Sequence, residues 1–334
     1  MKDLGGRSYD LLWLVDRHEP VGSIRLVELM RQRGYSITDR TIRLTLSELD
    51  ETGLTEKVAG RGRRLTDEGR SALARGNVTS RLERVRSRIV TLTSRVTYDP
   101  IEDTGRLIAS TAYVDADAIE PAVETLLALD ELPLGGFPVS VSETAAEEPA
   151  DYRLAMPSSI TLDGVLLSRG LDTDLRTAGI LEYTTGGDCG GTIERYVDVL
   201  NGEGATIDAV TVLIEAGRTD MRPLLSGEKR GLTVADYRKF PLTRYEEARD
   251  LTAETRRRLG GGVDVRRPRE EGPFPTEPPG LDFGSATYAG IGEVAIAALV
   301  ERELTDEWDT LYGTMARNEV GPAGTLDPNA PTME

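Results

Sequence analysis

Arginine side chains recur at two places near the amino terminus where a guanidinium group could contact a nucleic acid. Arg40 and Arg43 lie three residues apart in a segment of periodic apolar residues, and Arg61, Arg63 and Arg64 surround a glycine. A guanidinium group can donate two hydrogen bonds to the O6 and N7 atoms of guanine, and it also binds phosphate oxygens. The spacing therefore predicts base contacts from the first pair and backbone or minor-groove contacts from the second group.

The elements that would position these arginines follow from the periodicity of the apolar residues. Three short helical patterns follow one another, and Thr38 is the predicted N-cap of the third. With Ile42, Leu46 and Leu49 facing inward, the 3.6-residue period turns the candidate DNA contacts outward. These contacts are Arg40, Thr41, Arg43, Leu44 and Ser47. A glycine-tipped hairpin carries the other arginines, so residues 8–75 are predicted to form a winged helix-turn-helix.

The charge distribution separates this segment from the rest of the chain. Residues 1–90 hold 18 Lys and Arg against 13 Asp and Glu, a net charge of +5, and the remaining 22 basic and 44 acidic residues give −22. Only the first segment suits a phosphate backbone, because a strongly negative surface repels DNA. A winged helix that binds protein, with its arginines simply solvated, is the alternative.

Composition argues against several other classes of protein. No apolar run reaches the roughly 18–20 residues of a membrane span, and the first residues form no secretory signal, so a cytoplasmic protein without a membrane partner is expected. A single cysteine, Cys189, excludes an internal disulfide and a cysteine-rich zinc site. A single histidine, His18, is expected to be solvated. An enzyme with an appended winged helix stays open as an alternative, since carboxylates could still catalyse.

The basic residues also indicate an environment. Only four of the 40 are lysine, and the chain is strongly acidic and poor in aromatic residues. This composition favours a protein adapted to molar salt, where hydrated carboxylates keep the surface soluble. A GC-rich genome that encodes many Arg and Asp residues is the other explanation.

Residues 76–98 are predicted to form a connecting helix. Apolar residues recur from Val78 to Val96 with the heptad-like spacings 4, 3, 4, 3 and 4. Either this helix packs on its own domain, or it joins the two modules and contributes to a dimer. Fewer than three heptads do not decide between these alternatives.

Residues 99–316 are predicted to form an α/β (α+β) domain with an internal duplication. Residues 153–171 align without gaps on residues 282–300, an offset of 129, and the strand and helix at 107–129 recur at an offset of 127. Two nearly equal offsets indicate a duplicated unit. Because the identity is low, chance similarity is the alternative.

The two halves, roughly 100–190 and 225–316, would leave a cleft between them that suits a small effector. The candidate contacts are polar groups at equivalent turns and one guanidinium group: Ser158, Ser159, Thr161, Arg218, Thr287 and Tyr288. Arg218 could bind a carboxylate, with a surface ion pair as the alternative. Residues 317–334, rich in Gly, Pro and Asn, are predicted to form a disordered tail.

Three segments together resemble the archaeal NrpR-type nitrogen regulators. They run from Asp39 to Thr55, from Gly60 to Gly69, and through the sequence Ile-Thr-Leu-Asp-Gly-Val-Leu-Leu at 160–167. The resemblance spans about residues 10–315 and implies one winged helix followed by one NrpR regulatory domain. Together with the acidic composition, it points to a haloarchaeal protein.

The resemblance implies a homodimeric transcriptional repressor of nitrogen-assimilation genes. Such a repressor binds inverted-repeat operators in double-stranded DNA and is released when the dicarboxylate 2-oxoglutarate accumulates. The resemblance implies neither an enzyme nor a cofactor. Only the recognition-helix and wing positions named above carry over to this chain. A co-regulator without DNA contact and a metabolic enzyme remain the alternatives.

Overall fold

A computed structural model describes residues 6–32, 35, 37–75, 78–145, 148–186, 191–201, 208–268, 270–273 and 283–328 of the chain. The amino-terminal segment folds as the apolar periodicity predicts, into three helices, a β-hairpin and a further helix. Its elements are α1 (Gly6–His18), α2 (Ser23–Gln32), α3 (Asp39–Glu51), β1 (Thr55–Val58), β2 (Gly62–Leu65) and α4 (Asp67–Arg75). Leu11, Leu26 and Leu46 belong to a core of buried side chains that this module forms by itself.

Gly62 brings the wing against the turn between α1 and α2. Its φ is 118°, and a Cβ at this position would lie 2.2 Å from the carbonyl oxygen of Val21. This close approach lets Val21 and Arg63 exchange two backbone hydrogen bonds of 2.9 and 3.0 Å. Glycine is required here because a side chain would meet backbone. The start of the second strand of the hairpin is therefore held against the turn between α1 and α2.

Helix α5 (Val78–Thr93) leads from the winged helix into the second module. Leu92 and the following Val96 are buried in a core of that module, and Val85 and Ile89 pack against the same core. The second half of the predicted connecting segment 76–98 therefore belongs to the α/β module, and its apolar spacing reflects packing within this chain. Residues 76 and 77 lie outside the described residues.

The α/β module contains two units with the same order of elements. The first unit consists of β3 (Arg106–Val114), α6 (Ile119–Asp130), β4 (Pro138–Glu143), β5 (Tyr152–Pro157), α7 (Thr161–Ser168) and β6 (Asp174–Thr185). Next come β7 (Gly191–Asn201), α8 (Ala209–Glu215) and α9 (Arg222–Leu225). The second unit consists of β8 (Arg230–Pro241), α10 (Tyr245–Leu259), β9 (Gly262–Arg266), β10 (Phe283–Ala289), α11 (Ile291–Glu301) and β11 (Glu307–Ala316), and β12 (Gly321–Pro322) follows it.

The two units exchange their last strands. One sheet has the order β11-β3-β5-β4-β12, and the other has the order β7-β6-β8-β10-β9. Strand β6 thus joins the sheet of the second unit, and β11 joins that of the first. Without the added edge strands, both sheets show the 4-1-3-2 order of a ferredoxin-like β-α-β-β-α-β unit. The predicted duplication is confirmed in this topology, but the halves interlock instead of lying side by side.

The strand register identifies which residues are equivalent in the two units. Ser110 of β3 pairs with Met156, five residues before α7, and Arg238 of β8 pairs with Ala286, five residues before α11. Ser110 and Arg238 therefore occupy equivalent positions at an offset of 128, where the sequence alignment gave 127. The third residues of the two helices are both acidic, Asp163 in α7 and Glu293 in α11, at an offset of 130 where the alignment gave 129. The two units thus place different side chains at equivalent positions.

The prediction of a disordered tail from residue 317 is wrong for residues 317–328. Gly321 and Pro322 pair with β4, and Val320, Ala323 and Leu326 are buried. Composition indicated a loop, but it could not reveal the open edge of β4 or the apolar surface that these residues cover. Residues 329–334 lie outside the described part of the chain.

Candidate functional sites

Helix α3 presents the side chains that were predicted to contact DNA. The Thr41 backbone N–H donates to Thr38 Oγ1 at 3.3 Å, which confirms Thr38 as the N-cap. Ile42, Leu46 and Leu49 are buried. On the other face of the helix Arg40, Arg43, Leu44 and Ser47 are exposed, and Thr41 is half-buried. The 3.6-residue period therefore assigned the faces of this helix correctly.

The Arg43 guanidinium group is held only at the surface. Its Nη2 lies 2.8 Å from Asp39 Oδ2, and its Nε donates to Ser23 Oγ at 3.4 Å. The Arg43 side chain is 63% exposed. An exposed pair one helical turn apart contributes only about 0.3–0.5 kcal/mol, so a DNA base can compete for this guanidinium group.

Replacement of Arg43 by alanine should relax the preference for one base pair of the operator. Loss of a bidentate contact to guanine should reduce discrimination at that position by about 1–3 kcal/mol and leave other positions unchanged. The check is a binding assay with operators substituted one base pair at a time. Arg195→Ala, an exposed arginine of β7 that pairs with Glu182, is the matched control. A loss that is uniform across all operators would assign Arg43 to a phosphate instead.

The wing arginines point in different directions. Arg61 lies in the tip of the hairpin and is exposed. Arg64 is also exposed, although its Nε lies 2.6 Å from Glu56 Oε1. Arg63 departs from the predicted DNA contact, because its side chain turns inward. Its Nε lies 3.0–3.1 Å from both carboxylate oxygens of Asp50 on α3. Its side chain is 15% exposed, so Arg63 braces the wing against α3.

The winged helix docks on the α/β module through a different set of arginines. Arg17 of α1 pairs with Glu307 of β11 at 2.6 Å between Nη1 and Oε2, and its guanidinium group also lies over the Trp13 ring. Arg25 of α2 pairs with Glu148. The exposed arginines of α3 and of the hairpin tip take no part in these contacts. The module is thus anchored while its predicted DNA-binding face stays open.

A cavity of about 40 Å³ lies where the two interlocked units meet. Its polar wall consists of Ser158, Ser159, Thr177, Asp208, Asp236, Glu293 and Thr310, and its apolar wall consists of Ile89, Ile160, Leu175, Ala178, Ala209, Val210 and Leu311. The turn between β5 and α7, strands β6, β8 and β11, helices α5 and α11, and the start of α8 all contribute to this lining. Three of the seven polar lining residues are carboxylates.

Glu293 is the most enclosed of these carboxylates. Its Oε1 accepts hydrogen bonds from Ser110 Oγ at 2.9 Å, from Ser158 Oγ at 2.8 Å and from the Ser159 N–H at 3.1 Å, and its Oε2 lies 3.0 Å from the same N–H. Burial, followed by the negative charge of Asp236, raises the pKa of Glu293 to about 7, although hydrogen bonds from Ser158 and Ser110 oppose this shift. A neutral carboxyl group is therefore populated near physiological pH.

Asp236 belongs to a buried ionic cluster with Arg238 and Asp163. Arg238 has no exposed surface, and its Nε donates to Asp163 Oδ1 at 3.0 Å, while its Nη2 lies 3.8 Å from Asp236 Oδ2. Burial raises the pKa of Asp236 to about 6, and the charge of Arg238 opposes the shift. Neither terminal guanidinium nitrogen of Arg238 has a hydrogen-bond partner among the described residues.

The structure separates the predicted effector contacts into two groups. Ser158 and Ser159 line the cavity. Thr161 Oγ1 instead bonds the backbone of Ile108. The remaining three candidates also make other contacts: the Thr287 hydroxyl lies 3.3 Å from that of Tyr196, the Tyr288 hydroxyl donates to Gly260, and Arg218 pairs with Asp198 on the surface.

Sequence reasoning missed the carboxylates of the cavity, Asp208, Asp236 and Glu293. The internal repeat did not reveal Glu293, because the predicted offset of 129 places Asp163 against Gly292, and only the helix starts in the structure bring the two acidic residues into register. Asp208 caps α8 through a hydrogen bond to the Thr211 N–H. Asp236 lies inside a strand, where an isolated acidic residue gives no periodic signal.

Two structural absences apply to the part of the chain that is described. Within it, no three His, Cys, Asp or Glu side chains come together in a way that could hold a metal ion. No helix in the same residues has both the length and the apolar character that crossing a membrane requires.

Both modules match known protein families. The family model of NrpR regulatory domains NRD1 and 2 matches residues 82–320, and that of the ribonuclease R winged-helix domain matches residues 10–73. The first match begins inside α5, in agreement with the packing of that helix into the α/β core. Together the two matches cover the described modules in the order in which they fold.

Three relatives are nitrogen regulators by name. The chain is 28% identical over 236 residues to the global nitrogen regulator NrpRI of Methanosarcina mazei, which covers 68% of this chain and 70% of the relative. It is 24% identical over 241 residues to the global nitrogen regulator NrpR of Methanocaldococcus jannaschii, covering 72% of this chain and 42% of the relative. For NrpR of Methanococcus maripaludis the identity is 24% over 228 residues, covering 68% and 40%. The matches thus span about two fifths of the latter two relatives.

A solved structure has a similar fold. The nitrogen repressor-like protein from Methanococcus jannaschii covers 72% of this chain and 98% of its own length, with a TM-score of 0.56 and 19% identity. At this identity the likeness concerns the fold alone. The match to the NrpR regulatory domains, in contrast, extends over well more than half of the sequence. The chain therefore belongs to the NrpR family, in which it joins one winged helix to one regulatory region.

Proposed function

We propose that this protein is an effector-responsive transcriptional repressor that binds inverted-repeat operator DNA as a homodimer and controls nitrogen-assimilation genes. The observation that carries the proposal is the open arginine face of α3, joined through α5 to a region of the NrpR family. A winged helix that only bound protein would not need exposed arginines on the recognition helix and also at the wing tip. Two recognition helices in a dimer would read half-sites about 34 Å apart.

The proposed effector is 2-oxoglutarate, and the cavity between the units is its proposed site. A cavity of about 40 Å³ has room for a few water molecules, at roughly 10–15 Å³ each, but not for a five-carbon dicarboxylate. The effector therefore has to bind an expanded form of the cavity. A ligand that binds only one form shifts the equilibrium toward that form.

Two elements that line the cavity, α5 and β11, connect the proposed effector site to the winged helix. Ile89 of α5 and Leu311 of β11 both line it. The neighbouring Arg88 joins the same two elements, because it donates to Asp309 Oδ2 at 2.9 Å and to the Leu311 carbonyl oxygen. Strand β11 also carries Glu307, which pairs with Arg17 of the winged helix. Expansion of the cavity would therefore move both elements that hold the winged helix.

The full chain should bind a duplex that contains an inverted repeat, and 2-oxoglutarate should weaken this binding by about tenfold or more, a coupling of roughly 1.4 kcal/mol. Arg88→Ala should still bind DNA, but its response to 2-oxoglutarate should be smaller because the hydrogen bonds from Arg88 that link α5 to β11 are lost. Fluorescence anisotropy with labelled operator DNA measures both quantities. Arg86→Ala, an exposed arginine on the same helix, should respond as the unmodified chain does.

The alternatives predict different results in the same assay. A co-regulator without DNA contact would bind no duplex above the level of non-specific DNA. A metabolic enzyme would consume its substrate and would show no operator preference. Operator binding that 2-oxoglutarate does not change would support the repressor function but would rule out 2-oxoglutarate as the effector.

A further inference from the structure

We propose that Ser110 Oγ, Ser158 Oγ and the Ser159 N–H form a carboxylate-binding nest, which Glu293 occupies as a built-in ligand until the carboxylate of a small organic acid displaces it. This inference deepens the proposed effector response, on which its regulatory meaning rests. The nest itself, however, can be tested without DNA and without the proposed effector.

The geometry of the nest is that of a carboxylate receptor. Two hydroxyl groups and one backbone N–H converge on Glu293 Oε1 within 2.8–3.1 Å, and the N–H also reaches Oε2. The donors come from β3 and from the turn between β5 and α7, whereas Glu293 comes from α11 of the other unit. Hydrogen bonds to a charged acceptor are stronger than neutral ones, so these donors favour an anion.

The internal repeat shows that Glu293 lacks the partner that its counterpart has. Asp163, the equivalent residue of α7, is paired with the buried Arg238. The position equivalent to Arg238 is Ser110, and each of the donors to Glu293 named above is neutral. A buried carboxylate without a cation is costly. Glu293 is therefore the carboxylate of this pair that another acid can replace.

Two glycines at the start of α11 let the Glu293 carboxylate reach the donors of the nest. A Cβ on Gly290 would lie 2.5 Å from Glu293 Oε2 and 2.7 Å from Ser159 Cβ. A Cβ on Gly292 would lie 2.5 Å from the carbonyl oxygen of Pro157 and 3.1 Å from Ser110 Oγ. Two glycines thus allow the helix to approach both walls of the nest.

The nest opens onto the cavity between the units. Ser158, Ser159 and Glu293 all contribute to the cavity wall. An entering acid can therefore reach the donors from the cavity as Glu293 leaves, and no covalent step is involved. The departure of the Glu293 side chain also provides part of the volume that the closed cavity lacks. Occupation of the nest by a free acid would thereby expand the same walls that α5 and β11 form.

Replacement of Glu293 by alanine removes Cγ and the carboxylate group, which together match an acetate ion. The variant should therefore bind acetate in the space that they leave. Titration of this full-length variant with sodium acetate should give a saturable rise in Tm. The acetate affinity should exceed that of the unmodified chain by about tenfold or more, since the vacated donors make hydrogen bonds to a charged group, which are stronger than neutral ones. Acetamide, a neutral molecule of the same shape, should give no such rise. The double variant Glu293→Ala, Ser158→Ala should lose most of the acetate effect.

Equal responses to acetate and acetamide, or an acetate response that survives Ser158→Ala, would overturn the nest. Should Glu293→Ala fold poorly, its recovery by acetate and not by acetamide is the expected result, and failure to fold in both is evidence against the nest. Binding of 2-oxoglutarate separates this inference from the proposed function. Glu293→Ala should bind it about tenfold more tightly than the unmodified chain, because no internal competitor remains.

The two proposals can fail independently. If acetate binds Glu293→Ala through Ser158 but 2-oxoglutarate affects neither protein, the nest stands and the effector is a different organic acid. If 2-oxoglutarate releases DNA from the unmodified chain but Glu293→Ala binds it more weakly, Glu293 is a direct contact or a structural residue. In that case the displacement is wrong and the proposed function stands.

Discussion

Replacement of Arg238 by alanine should lower the free energy of unfolding by about 3–5 kcal/mol, since it leaves buried carboxylates without their counter-charge. Arg238 is fully buried, and both Asp163 and Asp236 are less than a tenth exposed. Attraction to these two carboxylates outweighs the effect of burial, so the pKa of Arg238 is raised and the side chain stays charged. Chemical denaturation of the full chain measures the loss.

Arg230 provides a matched control on the same strand. Its guanidinium group is 75% exposed and pairs with Glu182, so Arg230→Ala should cost less than about 1 kcal/mol. Adding Asp163→Asn to Arg238→Ala should recover part of the lost stability, because it removes one of the uncompensated charges. A loss from Arg238→Ala no larger than that from Arg230→Ala would show that Arg238 does not compensate the buried carboxylates.

The stability of the protein should carry a pH dependence that comes from Glu293. Its pKa is about 7 in the folded chain and 4.5 as the ordinary value, so between these pH values the folded state binds more protons than the unfolded state. Stability supplied by this group is therefore present in full below about pH 4.5 and is lost as the pH rises toward 7. The loss amounts to about 3 kcal/mol, from about 1.4 kcal/mol per unit of pKa.

Glu293→Gln isolates this contribution from those of the other carboxylates. The difference in unfolding free energy between the variant and the unmodified chain should shift in favour of the variant by about 3 kcal/mol from pH 4.5 to pH 7. Denaturation curves at several pH values provide the measurement. Glu124→Gln, an exposed glutamate of α6, should give a difference that is nearly independent of pH. Parallel pH profiles for the unmodified chain and Glu293→Gln would contradict the raised pKa.

The interlocked topology explains why the cavity can influence distant parts of the chain. Strands β6 and β11 each complete the sheet of the other unit, so the units cannot separate without breaking strand pairing. We therefore expect motion in elements that line the cavity without being held by this pairing. Helix α5 and the irregular stretch of β11 between Asp309 and Gly313 are two of these, and both elements lead to the winged helix.

The faces of the winged helix could be determined from the sequence alone. A helix of 3.6 residues per turn shows its inner and outer faces in a few residues, so Ile42 and Leu46 mark the core and Arg40 and Arg43 the open face. The N-cap at Thr38 is equally local, because its bond to Thr41 spans three residues. The duplication was also visible, since a repeat needs no knowledge of contacts.

Only the tertiary structure decided what these faces and repeats meet. The apolar pattern of β6 and β11 specifies a strand but not its neighbour, so the exchange between the units was hidden. For the same reason the sequence could not distinguish Arg63, which reaches Asp50, from Arg61, which stays open. The residues that line the cavity are spread along the sequence from position 89 to position 311, and only long-range packing brings them together. Side-chain periodicity reports a local direction, whereas a binding site depends on which distant surfaces come together.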